Sequence, residues 1–348
     1  MTRQLLILLI FLLTACNLPQ ATPIASTPTE SLPAVSTAIP TEAATPTPIP
    51  TPLPDVPLGT DANPIVLALL PSSGRETSDS ARDVAAQLSF LTGLVIIPYA
   101  PATYTEVVDA LGQGRVHIAW LAPFPYLLAH EKGFADAALA STVLGQDRSA
   151  AQFLVNRRMV EDRIFTVYFD PLSGANFADA SLALQQFKDK KPCWTDPYSP
   201  SGYVVPLGAL HENGVETKEG AFVQGQVTVI KSLYSDPEGN ICQFGATIAD
   251  NQIFIASGFE DAAEQVVTVW RTDPIIPFNA VAYASSLPGE MRVSISAAFL
   301  SMTQTAEGSA ALRDTFQIDG LKLTDDTFYD ALRHMLEQSG LSLTKLVR

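Results

Sequence analysis

An α/β architecture with a mostly parallel sheet is what this sequence predicts. Strand-type apolar runs alternate with segments of helical period from residue 64 onward, and glycines and prolines fall where those segments should end or begin. The 348 residues, 47% apolar and 16% charged, suffice to bury one large core with room for a second. The formal charge of −15, with no Lys/Arg run, argues against a nucleic-acid partner. An anionic ligand would therefore have to be held by a local field.

The N-terminus precedes the globular part in two steps. Arg3 is followed by the apolar run Leu5 to Leu13 and then by Leu13-Thr14-Ala15-Cys16. That run is far short of the roughly 20 residues a membrane span needs, so it reads as an export signal. Its small-small-Cys ending resembles a bacterial lipoprotein lipobox, which implies cleavage before Cys16, lipid on its sulfur and a location on the outer face of a bacterial membrane. An ordinary signal peptide with an incidental cysteine is the alternative. Residues 17–57 are rich in Pro, Thr, Ala and Ser and carry no aromatic residue. Such a segment cannot bury enough surface to offset its ordering entropy, so a disordered tether is expected.

The elements then follow in order. PIVLALL (64–70) reads as a buried strand. SDSARDVAAQLSFLTG places Val84, Leu88 and Leu91 at helical spacing and closes on Gly93. LVIIPY is a second strand, Tyr104 to Leu111 a second helix, Gly112-Gln113-Gly114 a turn, and VHIAWL a third strand. Prolines 123 and 125 open a helix reaching about His130. Further on, DPYSPSGYVVPLGAL predicts a helix from about Gly202 to Glu212, ended by Gly214.

In open α/β sheets, ligands sit beyond the carboxyl ends of strands, where helices begin and backbone N–H groups are unpaired. Three junctions here qualify: PSSG after the first strand, with Ser72; APFPY after the third, with Tyr126; and DPYSPSGY. In the last, Ser199 and Ser201 can cap orphan N–H groups and Gly202 lets backbone approach a ligand, which together would hold an anion. A well-capped helix with no ligand fits the same residues.

Catalytic and metal readings find little support. The four histidines, His117, His130, His211 and His334, form no metal-ligand pair at helical spacing. Ser342 and Lys345 match a Ser-x-x-Lys pattern without the partner motifs it needs. No enzyme activity, metal or cofactor is expected. With Cys16 assigned to lipid, Cys193 and Cys242 remain in an exported protein, so they are expected to form a disulfide closing a loop of about fifty residues; two unpaired buried thiols are the alternative.

The blocks TYTEVVDALGQGRVHIAWLAPFPYLLAHEKG, DPYSPSGYVVPLGAL, FGATIADN and TDPIIPFNAVAYASSLPGEM, in this sequence order, resemble the substrate-binding lipoproteins of phosphate/phosphite/phosphonate ABC transporters, which have the type II periplasmic-binding-protein fold. The resemblance implies two α/β lobes, residues 58–146 plus 269–348 and residues 147–268, joined by a two-strand hinge and closing over a small ligand. It implies that Ser199, Ser201 and Gly202, with Tyr203 beside them, hold an oxyanion together with the Tyr104 and Tyr126 hydroxyls. Asp250 would accept hydrogen bonds from an amino group or a protonated oxygen of the ligand.

Two departures stand out. Ala151 and Gln152 occupy the place of a Ser-Ser or Ser-Thr pair, and Gln226 and Val227 that of a His before an acidic residue. Ser149, Gln152 and Gln226 are then replacement donors or fillers of space. Tyr104 is alternatively a hydrophobic staple, Asp250 a helix cap, and Trp120 and Trp194 either a cleft wall or core. The function implied is capture of a small solute, a phosphonate- or phosphite-type oxyanion, by a monomer that delivers it to a membrane permease and ATPase. The alternatives are a ligand sensor of the same fold coupled to a signalling partner, and a binder of a non-phosphorus solute.

Overall fold

Residues 56–69 and 77–348 are described by the computed structural model, so the export signal, Cys16, most of the tether and Ser72 lie outside the described residues. The first sheet begins with β1 (Ile65–Ala68), β2 (Ile96–Tyr99), β3 (Ile118–Leu121) and β4 (Ala135–Thr142). The chain next forms β5 (Arg148–Ser149) and β6 (Ala151–Asn156), then β7 (Pro192–Trp194), β8 (Ala221–Phe222), β9 (Phe244–Ile248) and β10 (Val266–Arg271). It returns through β11 (Ile276–Pro277) to β12 (Ala280–Ala284) and β13 (Gly320–Leu323).

These strands make one sheet in the order β13-β4-β12-β3-β1-β2 and a second in the order β10-β6-β9-β7-β8. Both are mixed. Parallel pairing joins β1 to β2 and β3, and β7 to β8 and β9. Antiparallel pairs come from β12, β13, β6 and β10, strands of the returning halves whose direction the N-terminal alternation does not carry.

All four residues of β3 are buried, as expected of a strand covered on both faces. On one face Trp120 stacks on Phe316 at 3.5 Å between ring centroids and meets Phe299 edge-on at 6.0 Å, so Trp120 belongs to the core. The second sheet has its own aromatic core, Phe187 lying 5.0 Å from Phe153 and 4.5 Å from Phe244. The expected helix after β1 runs Thr77–Thr92 and ends at Gly93, whose φ of 71° is the left-handed cap that favours glycine. Thr103 caps the helix Tyr104–Gly112 by accepting from Glu106 N at 3.1 Å, and prolines open the helix Pro123–Glu131.

Two crossings link the sheets, and they pair with each other: Ser149 of β5 faces Ile276 of β11, and Arg148 faces Pro277. A third element braces them. The helix Asp330–Ser339, counted from the sequence with the first lobe, packs on the helix Val205–Glu212 beside the second sheet. Gly208 permits the approach, since a Cβ there would stand 2.3 Å from the Met335 carbonyl oxygen. His334 meets Glu212 at 2.7 Å across the same seam. Just before this helix, Tyr329 packs its ring 4.2 Å from that of Tyr126 in the first lobe. Among the described residues, no helix is long and apolar enough to cross a membrane.

Candidate functional site

A cleft of about 580 Å³ lies between the two sheets, with Ser149, Ile276 and Pro277 of the paired crossings on its floor. One wall comes from the first lobe: Tyr104 at a helix start, Ala122 to Pro125 at another, and Ser141 of β4. The other comes from Tyr198, Pro200, Ser201 and Ile248 of the second. A larger cavity of about 730 Å³ opens elsewhere, against the seam of Glu212 and His334, and holds none of the sequence-predicted residues.

The serine turn explains itself locally. Ser199 accepts from Gly202 N at 3.0 Å, and the next turn is widened, Val204 N reaching back five residues to Ser199 O at 3.1 Å. Such π-type turns recur at functional sites. The widening leaves Ser201 facing the cleft while only 6% exposed. Gly202 serves packing: a Cβ on it would fall 2.1 Å from Thr195 Oγ1. Ser199 is a cap rather than a lining residue. Tyr203 turns away, its ring 5.5 Å from that of Trp194 and 4.9 Å from that of Phe222. Trp194 is likewise core, edge-on to Phe244 at 5.8 Å.

Gln226 holds this turn from behind. Its Nε2 donates to Ser201 Oγ at 3.3 Å and its Oε1 accepts from Ile248 N at 2.9 Å. Gln152 has no access to the cleft. It is fully buried between strands, donating to Thr247 Oγ1 and Ile248 O at 3.1 Å each and accepting from Thr268 Oγ1 at 2.9 Å and Arg271 Nη2 at 3.1 Å. Ser149 lines the floor, held by a long contact of 3.5 Å to Ile276 O. Asp250 is exposed and outside the cleft lining, and caps Gln252 N at 2.8 Å.

The two tyrosines part company. Tyr104 lines the cleft, and burial pushes its phenol up to about 12, so it is a neutral donor at ordinary pH. Tyr126 is fully buried behind the cleft wall. Its hydroxyl donates to Asp326 Oδ1 at 2.9 Å and accepts from Ala137 N at 3.3 Å, and burial with Asp326 alongside holds the phenol far above its usual range. It completes an internal network and offers a ligand nothing.

Among the polar lining residues that sequence reasoning missed are Ser141, Arg348 and Tyr198. Ser141 is 1% exposed, and its Oγ has no hydrogen-bond partner although it borders the cleft. A buried hydroxyl without a partner is uncommon and costs stability unless a ligand or water engages it. Arg348 lies at the rim, its guanidinium 4.2 Å from the Tyr198 ring centre and its backbone oxygen accepting from Tyr104 N at 2.9 Å. No Asp or Glu side chain shares the lining. Tyr198 stood inside the quoted serine block; Ser141 and Arg348 carried no local signal.

None of the histidines lines the cleft. His117 Nδ1 accepts from Val66 N at 3.1 Å, and burial lowers its pKa. Among the described residues no group of three or more His, Cys, Asp or Glu is placed to hold a metal ion. What the cleft can do chemically is hydrogen-bond: hydroxyls on both walls, the Asn279 and Gln317 amides, and Arg348.

Residues 67–329 match the family model described as ABC transporter, phosphonate, periplasmic substrate-binding protein. A curated relative, the phosphate-import protein PhnD of Mycolicibacterium smegmatis, is 23% identical over 301 residues, covering 79% of this chain and 86% of the relative. Among solved structures, XAC2383 from Xanthomonas citri bound to chloride ion superposes with a TM-score of 0.60 at 14% identity, covering 79% of this chain and 97% of that one. PhnD1 from Prochlorococcus marinus in complex with methylphosphonate gives 0.54 at 12% identity, covering 79% and 98%. A binding protein component of an ABC phosphonate transporter from Pseudomonas aeruginosa gives 0.52 at 15% identity, covering 84% and 95%. These likenesses show the type II periplasmic-binding-protein fold expected from the sequence.

Proposed function

Because the chain belongs to the periplasmic substrate-binding protein family of phosphonate ABC transporters, we propose that its interlobe cleft captures a phosphonate- or phosphite-type oxyanion for delivery to a permease and ATPase. The protein is the extracytoplasmic binding component of such a system. The observation that carries it is the pair of buried hydroxyls on opposite walls, Ser141 without a partner and Ser201 aligned by Gln226. An oxyanion between them would engage donors from both lobes at once, with Tyr104, Ser149 and the Arg348 cation completing its shell.

Binding of this kind needs closure but no bond-making. Residues 58–146 with 269–348 would form one lobe and 147–268 the other, bending at β5 and β11. The N-terminal Cys16 would carry the lipid that anchors the protein, and residues 17–57 would be its tether. The curated relative's name, a phosphate-import protein, and the methylphosphonate held by the Prochlorococcus marinus structure are consistent with a small phosphorus oxyanion as cargo.

Calorimetry on the full chain with phosphate, phosphite and methylphosphonate tests the proposal. Binding of at least one is expected, weakened about tenfold or more by Ser201→Ala, since a hydrogen bond to a charged group contributes roughly 1.5–3 kcal/mol. Binding that Ser201→Ala and Arg348→Gln both leave untouched would move the site away from this cleft.

A further inference from the structure

Resting on the two-lobe reading above, with bending at β5 and β11, we propose that Arg348 is a latch that holds the two walls of the cleft together before any ligand arrives. Its backbone is fixed to the first lobe and its guanidinium reaches Tyr198 of the second. The chain comes to that position by crossing between the lobes. The helix Asp330–Ser339 belongs with the second sheet, held by close packing at Gly208, by the His334 contact with Glu212, and at His211, whose Nδ1 lies 3.3 Å from Gln338 O. Gly340, at a φ of 69°, ends that helix in the left-handed conformation, and a Cβ there would meet nothing within 4 Å. Beyond it the chain returns to the first lobe.

That return is anchored along its length. Leu341, Leu343 and Val347 pack against the core, Leu346 is buried, and the turn Leu343–Lys345 lies on the helix Pro123–Glu131. The Arg348 backbone oxygen then accepts from Tyr104 N at 2.9 Å, at the start of the first lobe's helix Tyr104–Gly112. The side chain goes the other way. Its guanidinium carbon stands 4.2 Å from the centre of the Tyr198 ring, and Tyr198 is fixed in the serine turn by its own N–H, which donates to Asp196 Oδ1 at 2.9 Å. One residue therefore touches both walls, apart from the paired crossings on the floor. Bending that parts the walls must carry Arg348 off Tyr198, while its backbone anchors move with the first lobe. A cation lying over a ring face spends none of its N–H donors, so the guanidinium keeps them for an anion in the cleft.

The test reads the lobes directly, without a ligand. Spin labels attached through a ketone-bearing amino acid at the exposed positions 109 and 231 sit on the helices Tyr104–Gly112 and Gln226–Ser235, one in each lobe. This chemistry leaves the Cys193–Cys242 bridge alone, and pulsed electron paramagnetic resonance on the full chain then gives the closed and open populations. Arg348→Gln and Tyr198→Leu should each raise the open-to-closed ratio about two- to fivefold, the span expected of an exposed cation–π contact. The double variant should go no further than either single one. Tyr198→Phe keeps the ring and should match the parent, which shows that the turn still folds. Parent-like distances in Arg348→Gln and Tyr198→Leu, shifts that multiply in the double variant, or a Tyr198→Phe shift as large as that of Tyr198→Leu would each overturn the latch. Calorimetry with methylphosphonate separates it from the ligand reading. If Arg348→Gln leaves the distances unchanged yet weakens methylphosphonate binding, the latch falls and the ligand reading stands. If both variants open the lobes while the parent binds none of phosphate, phosphite and methylphosphonate, the latch stands and the ligand reading falls.

Discussion

Gln226 and Ser201 are joined by a 3.3 Å hydrogen bond from the glutamine amide to the serine hydroxyl, and the same glutamine accepts from Ile248 N at 2.9 Å. One side chain thus ties the serine turn to the end of β9, the two segments that form the second lobe's wall of the cleft. Since Ser201 Oγ already accepts from the amide, its own proton is free to point at a ligand. Gln226→Leu keeps the bulk but leaves the Ile248 N–H without this acceptor and Ser201 without its alignment. A stability loss of about 1–3 kcal/mol is expected, with weaker ligand binding. Denaturation midpoints and calorimetry on the same variant check both; unchanged affinity would show that Ser201 needs no such support.

Gly202 tests the packing under the turn. A methyl there would meet Thr195 Oγ1 at 2.1 Å, Cγ2 at 2.3 Å and Cβ at 2.7 Å, inside the second lobe. Gly202→Ala should cost about 1–3 kcal/mol by overpacking. Adding Thr195→Ala removes the two nearest atoms and should recover part of the loss, because the Thr195 hydroxyl has no hydrogen-bond partner to forfeit. A thermal melt of the single and double variants separates steric strain from any role of Gly202 in ligand contact.

What the sequence made legible was local. The helix starts at Tyr104, Pro123 and the serine turn, the glycine ends at Gly93 and Gly214, and the Ser199 cap all rest on chemistry within a few residues. The misplaced residues are those whose role depends on distant strands. Tyr126 reads as a hydroxyl at a helix mouth, yet Asp326, two hundred residues away, claims it. Gln152 reads as a donor at a strand start, yet Thr268 and Arg271 on the neighbouring β10 use it. Ser141 and Arg348 enter the cleft only through the return of the chain, so no motif around either could announce them.

Alkaline pH offers a check on Tyr104. Burial raises its folded-state pKa to about 12 against an ordinary value of 10.0, so the phenol is protonated in the folded protein where the unfolded chain has lost its proton. The unfolded state then binds fewer protons, and stability falls as pH rises from about 10 towards 12, while below pH 10 the contribution is fully present. The shift corresponds to a loss on the order of 2–3 kcal/mol. Tyr283, also raised to about 12 by burial, adds a similar loss. Urea midpoints measured across this range should drop, and Tyr104→Phe should make the drop shallower without abolishing it. An identical slope in the variant would mean that the Tyr104 phenol is solvated.

The disulfide between Cys193 and Cys242 staples a short ladder. Cys193 and its neighbour pair with β9 only through Pro192↔Phe244 and Cys193↔Gly245, and Trp194 and Thr195 lead from there directly into the serine turn. The bridge spans a sequence separation of 49, for which the chain-entropy model gives at most about 4 kcal/mol through restriction of the unfolded chain. Both sulfur-bearing residues are fully buried, so reductant alone should leave the folded protein oxidised and act only once denaturant opens it. The Cys193→Ala/Cys242→Ala double variant should lower the guanidinium midpoint by the equivalent of about 2–4 kcal/mol. Because Thr195 O accepts from both Gln224 N at 2.6 Å and Gly225 N at 3.2 Å, loosening β7 should also disturb the start of the helix that carries Gln226. Hydrogen exchange at Gln224 and Gly225 would register that disturbance, and protection there equal to the parent's would confine the bridge's effect to the unfolded state.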